Sequence, residues 1–186
     1  MPLSSLSGQL LLAMPQMQDH RFARSVIYLC AHNESAAMGL VINKLIGSLT
    51  LGELLEQLKI PSPGLIGAPR VHFGGPVQQE RGFVLHSADY TEKESMVVGN
   101  NLALTATADI LRAIGRGEGP RRSLLALGYA GWGPGQLDNE LQQNSWLTVP
   151  ADEEIIFDDE LDSKWQRALS KLGIDLSMLS GDAGHA

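Results

Sequence analysis

A chain of 186 residues with 44% apolar and 19% charged residues and a mean hydropathy of −0.03 can fill one hydrophobic core and is neither a disordered nor an integral membrane sequence. The formal charge of −7 is uneven: residues 1–150 carry a net −1 and residues 151–186 a net −6. A large nucleic-acid footprint is therefore not expected, since such affinity comes from Lys and Arg neutralising phosphates.

The early apolar run Leu10 to Met14 is short and the first positive charge is Arg21, so no export signal is expected. The longest apolar stretch, Ala36 to Ile42, is far below the roughly 20 residues that span a bilayer, and no membrane partner is expected. A single cysteine, Cys30, suits a reducing compartment, which predicts a cytoplasmic protein. Twenty glycines predict many sharp turns and many strands.

In chain order, Leu10 to Ala13 and Val26 to Ala31 read as short buried strands, and Gly39 to Asn43 as a third. Thr50 and Glu53 form a capping box for a helix whose apolar face is Leu51, Leu54, Leu55 and Leu58, stopped by Pro61 and Pro63. Val71 to Phe73 and Gly82 to His86 flank a turn at Gly74-Gly75-Pro76-Val77, and Met96 to Val98 and Leu102 to Leu104 read as edge strands. Thr105 or Thr107 caps a helix carrying Ile110, Leu111 and Ile114, and Gly115 is expected to end it. Leu124 to Leu127 is a strand running into the glycine-rich turn 128–135, with a helix over 136–143 and a strand at Trp146 to Val149 beyond. A last helix follows the acidic run Asp158 to Asp162, buries Leu161, Trp165, Ala168, Leu169 and Leu172 at helical spacing, and ends at Gly173. Strands and helices interleave irregularly, which predicts one α/β or α+β domain over residues 1–179 with a mixed sheet, and a flexible tail over 180–186.

Chemical motifs are few. The glycine-rich turn lacks the third glycine of a dinucleotide fingerprint, because position 138 is Asp138, and no P-loop string occurs. Asp138 and Glu140 already oppose the positive end of the helix that follows. Cys30 and His32 stand two apart in a strand, so both project to one face; the pair reads either as an activated thiolate, in a redox sensor or an enzyme, or as a buried packing cysteine. Alkylation rate separates these. The histidines hold no metal-binding pair at helical spacing, no nucleophile elbow is present, and neither a catalytic set, a metal nor a cofactor is expected. Arg112, Arg116, Arg121 and Arg122 form a local basic stretch, read as a solvated helix end.

Three glycines within five residues, Gly131, Gly133 and Gly135, are conformationally expensive to order. With Trp132 as an apolar anchor, Gln136 and Glu140 at i, i+4, and Gly74, Gly75 and Pro76 as a second turn, they form a candidate binding surface. The other reading is a strained turn pinned by a buried Trp132. Docking forecasts that removing the Gln136 and Glu140 side chains leaves the melting curve unchanged.

The ordered strings GQLLLAMPQMQDHRFARSVIYLCAH (Gly8 to His32), AMGLVINK (Ala37 to Lys44), FGGPV and RGFVLH (Phe73 to His86), LGYAGWGPGQLDNE (Leu127 to Glu140), NSWL (Asn144 to Leu147) and IIFD (Ile155 to Asp158) resemble the AlgH/YqgE-like family of bacterial proteins along nearly the whole chain. Leu45 departs from the proline that many relatives carry after Asn-Lys. The resemblance implies an α/β domain with a mixed, partly barrel-like central sheet flanked by helices, no established enzyme activity, and a label as transcriptional regulator that no DNA-binding motif here supports. The combined expectation is a non-enzymatic regulatory protein, monomeric or weakly self-associating, acting on a protein or small-ligand partner. Its rivals are a Cys30-dependent thiol protein and a direct DNA-binding regulator.

Overall fold

The computed structural model describes residues 5–15, 17, 19–99 and 101–173; the expected tail over 180–186 lies outside them. Helices and strands alternate irregularly, and the fold is mixed α/β as expected. The chain divides into two compact units, residues 1–43 with 131–186, and residues 44–130.

In the first unit, β1 (Gln9–Ala13), β2 (Val26–His32), β3 (Ala37–Val41) and β10 (Trp146–Pro150) form an antiparallel array in the order β10-β1-β2-β3. Leu10, Leu11 and Leu12 are consecutive and all fully buried, so both faces of β1 are covered, which explains a continuous apolar run where a half-exposed strand would alternate. The third strand sits two residues earlier than expected. Asn43 leaves the ladder because its side chain replaces it: Oδ1 accepts from Val26 N–H at 2.9 Å and Nδ2 donates to Arg24 O at 2.9 Å.

The same unit holds α3 (Gln136–Gln142), α4 (Glu153–Phe157) and α5 (Lys164–Ser170). The last helix is shorter than its apolar period implied. A single 3₁₀ turn at Leu161–Ser163 precedes it and Leu172 is 39% exposed. The sequence reading missed α4, five residues capped by Asp152 Oδ1 on the Glu154 and Ile155 N–H groups. Trp165 anchors α5 to the sheet, donating its indole N–H to Ala13 O at 2.9 Å. The fully buried Lys164 donates to Ile156 O at 2.6 Å, and burial lowers its pKa to about 8.

In the second unit, β9 (Ser123–Trp132, the boundary falling within it after Ala130), β6 (Val77–Ser87), β8 (Leu102–Thr105) and β7 (Met96–Val98) are antiparallel neighbours in that order. β5 (Arg70–Phe73) runs parallel to β9, and β4 (Leu45–Thr50), absent from the sequence reading, pairs antiparallel with β5. The sheet is therefore mixed. Helix α1 (Leu51–Gln57) carries the full Thr50/Glu53 capping box. Helix α2 (Ala108–Arg116) is capped by Thr107, and Leu51, Leu55 and Ile110 pack on Val71, Val84 and Leu125. Gly115 does not end α2; Gly117 does, at φ +80°. Gly115 is glycine for another reason, because a Cβ there would stand 2.5 Å from Pro61 O.

Candidate functional site

The expected turn over 128–135 is mostly strand. β9 continues through Gly128 and Gly131 to Trp132, so its alternation persists: Ala130 and Trp132 are buried, Gly131 is exposed. Only Gly133, Pro134 and Gly135 turn the chain, all exposed, and Gly135 at φ +69° opens α3 without a side-chain cap.

Gln136 supplies what the cap does not. Its Oε1 accepts from Gly133 N–H at 3.0 Å and its Nε2 donates to Glu140 Oε2 at 3.0 Å. The other oxygen of Glu140 accepts two indole N–H groups, Trp132 at 2.9 Å and Trp146 at 2.8 Å. The two indoles meet edge to face with centroids 5.8 Å apart, and Phe22 adds a third ring against Trp146, also at 5.8 Å. Gly131, Trp132, Gly133, Gln136 and Glu140 thus come together as the spacing implied. Trp132 is nevertheless 6% exposed, so it packs inward, and the exposed residues over 131–136 are Gly131, Gly133, Pro134, Gly135 and Gln136. The sequence reading assigned no part to Trp146 or Phe22; the Asn-Ser-Trp-Leu string just after α3 was the available signal.

Gly74, Gly75 and Pro76 belong to the second unit. There the first two glycines allow close backbone approach, since a Cβ on Gly74 would collide with Gly128 O and one on Gly75 with the Tyr129 carbonyl group.

Cys30 and His32 bond to different partners. The register of β2 on β3 slips between Leu29 and Ala31, leaving Cys30 as the unpaired bulge residue and breaking the two-residue alternation. The thiol is 3% exposed and donates weakly to Tyr28 O at 3.6 Å; burial pushes its pKa up to about 12. His32 Nδ1 accepts from Leu6 N–H at 3.1 Å, and Nε2 lies 3.1 Å from Asp138 Oδ1.

A second polar cluster lies in the second unit. His86, fully buried, donates from Nδ1 to Ser87 O at 2.8 Å, so Nε2 accepts from the Thr105 hydroxyl at 2.7 Å, and Ser95 Oγ sits 2.7 Å from Thr105 Oγ1. Burial lowers the His86 pKa and keeps the ring neutral. In the basic stretch Arg112 pairs with Asp109 and Arg116 with Glu118, and the backbone N–H of Arg121 donates to Asp89 Oδ2 at 3.0 Å. Among the described residues no set of three or more His, Cys, Asp or Glu is placed to hold a metal ion, and no helix is long and apolar enough to cross a membrane.

A family profile described as AlgH-like matches residues 10–177. A UPF0301 protein of Afipia carboxidovorans is 56% identical over 97% of this chain and 90% of its own length; another, of Nitrobacter hamburgensis, is 52% identical over 98% and 88%. The solution structure of the AlgH protein from Pseudomonas aeruginosa superposes with a TM-score of 0.78 at 46% identity, covering 100% of both chains. A crystal structure from Corynebacterium diphtheriae, 21% identical over 93% of this chain and 90% of that one, shares the fold with a TM-score of 0.73.

Proposed function

The chain belongs to the AlgH-like family, and from that premise we propose that it is a non-enzymatic regulatory protein of the cytoplasm, one that binds a protein or small ligand on the loop Gly133–Gln136. One observation carries this reading: an exposed glycine-rich loop is held from below by Trp132, Trp146, Gln136 and Glu140. Such a loop loses little further freedom when a partner meets it, which is how preorganisation strengthens binding. Gly133, Pro134 and Gly135 carry no charged or hydrogen-bonding side chain, so the partner reads the shape of the turn rather than side-chain charge. Neither nucleic acid nor membrane belongs to this reading, and the protein acts as a monomer or weak homo-oligomer.

Gly133 gives the test, because a Cβ there meets only Gln136 Oε1, at 3.9 Å. Gly133→Lys is expected to leave the thermal midpoint within experimental error while abolishing complementation of a strain lacking the gene. Full complementation by a folded Gly133→Lys protein rejects the loop as the docking face.

A further inference from the structure

We propose that Arg24, laid against the ring of Trp165, anchors an oxyanion site of the first unit, one that takes the carboxylate or phosphate group of a ligand. The proposal holds whether or not the Gly133–Gln136 loop is a docking face. It starts from a residue type in an unfavourable place. Arg24 lies between the 3₁₀ turn His20–Phe22 and β2 at φ +52°, a left-handed conformation in which glycine or asparagine would be less strained. The backbone is held there by bonds of its own: Arg24 O accepts from Asn43 Nδ2 at 2.9 Å, and the N–H of Ser25 donates to Phe22 O at 2.9 Å. Nothing in that turn calls for an arginine side chain.

The use of the side chain lies at its far end. Its guanidinium carbon stands 4.4 Å from the centre of the Trp165 ring. That indole is a fixed platform, 2% exposed and tied through its N–H to Ala13 O at 2.9 Å. A guanidinium carries its five N–H donors in one plane and has no acceptor, so a ring against its face leaves the fork open at the edge. Arg24 is exposed, and among the described residues no acceptor takes a hydrogen bond from its guanidinium. The first unit's other arginines show the contrast, Arg21 being bound to Asp19 and Arg167 to Asp158. Asp19 is the only acidic residue in 1–33, and both of its oxygens are taken by Arg21. The next residue, Ser25, is fully buried with a hydroxyl that has no hydrogen-bond partner among the described residues, so polar capacity that the chain leaves unused sits on two consecutive side chains. A planar fork matches two oxygens of a carboxylate or phosphate at once, and one already stacked on a fixed ring loses less freedom on binding.

The experiment titrates the isotope-labelled full chain with sodium phosphate, and separately with sodium acetate, at constant ionic strength, following the Arg24 Nε–H and Trp165 indole N–H resonances by NMR. The two resonances are expected to move together and saturate, and the anion that saturates them at lower concentration names the ligand class. Shifts that stay linear with both anions overturn the site. Arg24→Lys keeps the charge without the fork and should weaken binding about tenfold, the equivalent of one charge-assisted hydrogen bond. Arg24→Gly suits the left-handed backbone and removes the fork, so the thermal midpoint should stay within experimental error while saturation of the Trp165 resonance is lost. Saturation retained by Arg24→Gly overturns the proposal. If Arg24→Gly fails to fold, undiminished affinity in Arg24→Lys overturns it equally.

Discussion

The carboxylate of Glu140 takes two indole N–H groups and one amide, all neutral donors. A carboxylate bonded this way is part of the fold, and this changes the forecast for its removal. Glu140→Ala leaves two large indoles without a partner for their N–H groups, and each unsatisfied buried donor costs roughly 1–3 kcal/mol. The expected outcome is a lowered urea midpoint with red-shifted tryptophan emission; an unchanged midpoint would show that the indoles find other acceptors. The pairing of Gln136 with Glu140 was legible from their i, i+4 spacing. The inward direction of Trp132 was not, because three nearby glycines resemble a turn, whereas the backbone keeps strand alternation through Gly131. The i, i+2 rule that joined Cys30 to His32 failed for a related reason: a bulge is set by pairing with β3, and a single strand's sequence does not display its partner's register.

At the scale of elements, side-chain caps were the most legible features. Thr50 with Glu53 and Thr107 on Ile110 are short-range bonds between residues three apart, so their signal is local. Gly115 shows the limit of that logic. Its absent side chain answers to Pro61, more than fifty positions earlier, while the left-handed cap falls two residues later at Gly117. The two glycines are expected to respond differently. Gly115→Ala drives a Cβ into the Pro61 carbonyl and should cost roughly 1–3 kcal/mol, the range for overpacking. Gly117→Asn should lose less, because Asn tolerates the left-handed region and its Cβ comes no nearer than 3.2 Å to Gly64 O. Chemical denaturation of both variants checks this, and equal losses would contradict the separate roles. β4 and α4 escaped notice because one is half exposed around Gly47 at φ +48° and the other is only five residues long.

For the whole molecule, irregular interleaving of strand and helix signals was enough to give the mixed α/β class. The division into two units was hidden, since it depends on β1 pairing with β10, Ala13 opposite Trp146, across most of the chain. Charge acts at this scale too. With a net −7 overall, −6 of it after residue 150, and with Arg112 and Arg116 already paired, duplex DNA meets little uncompensated positive surface. Sequence-specific binding at physiological salt is expected to be undetectable by fluorescence anisotropy. A saturable signal that falls steeply with salt and keeps its preference for one sequence would refute this.

The discontinuity of the first unit also orders its birth. On a ribosome moving at about 5–20 residues per second, β1, β2 and β3 emerge first and then wait roughly four to seventeen seconds while residues 44–130 are made. Only afterwards do β10 and α5 arrive to pair with Leu10–Ala13 and cover that strand. The intervening stretch is contiguous and can close its own contacts in the meantime. The nascent chain therefore carries the apolar Leu10–Leu12 run without its last strand partner for much of its translation.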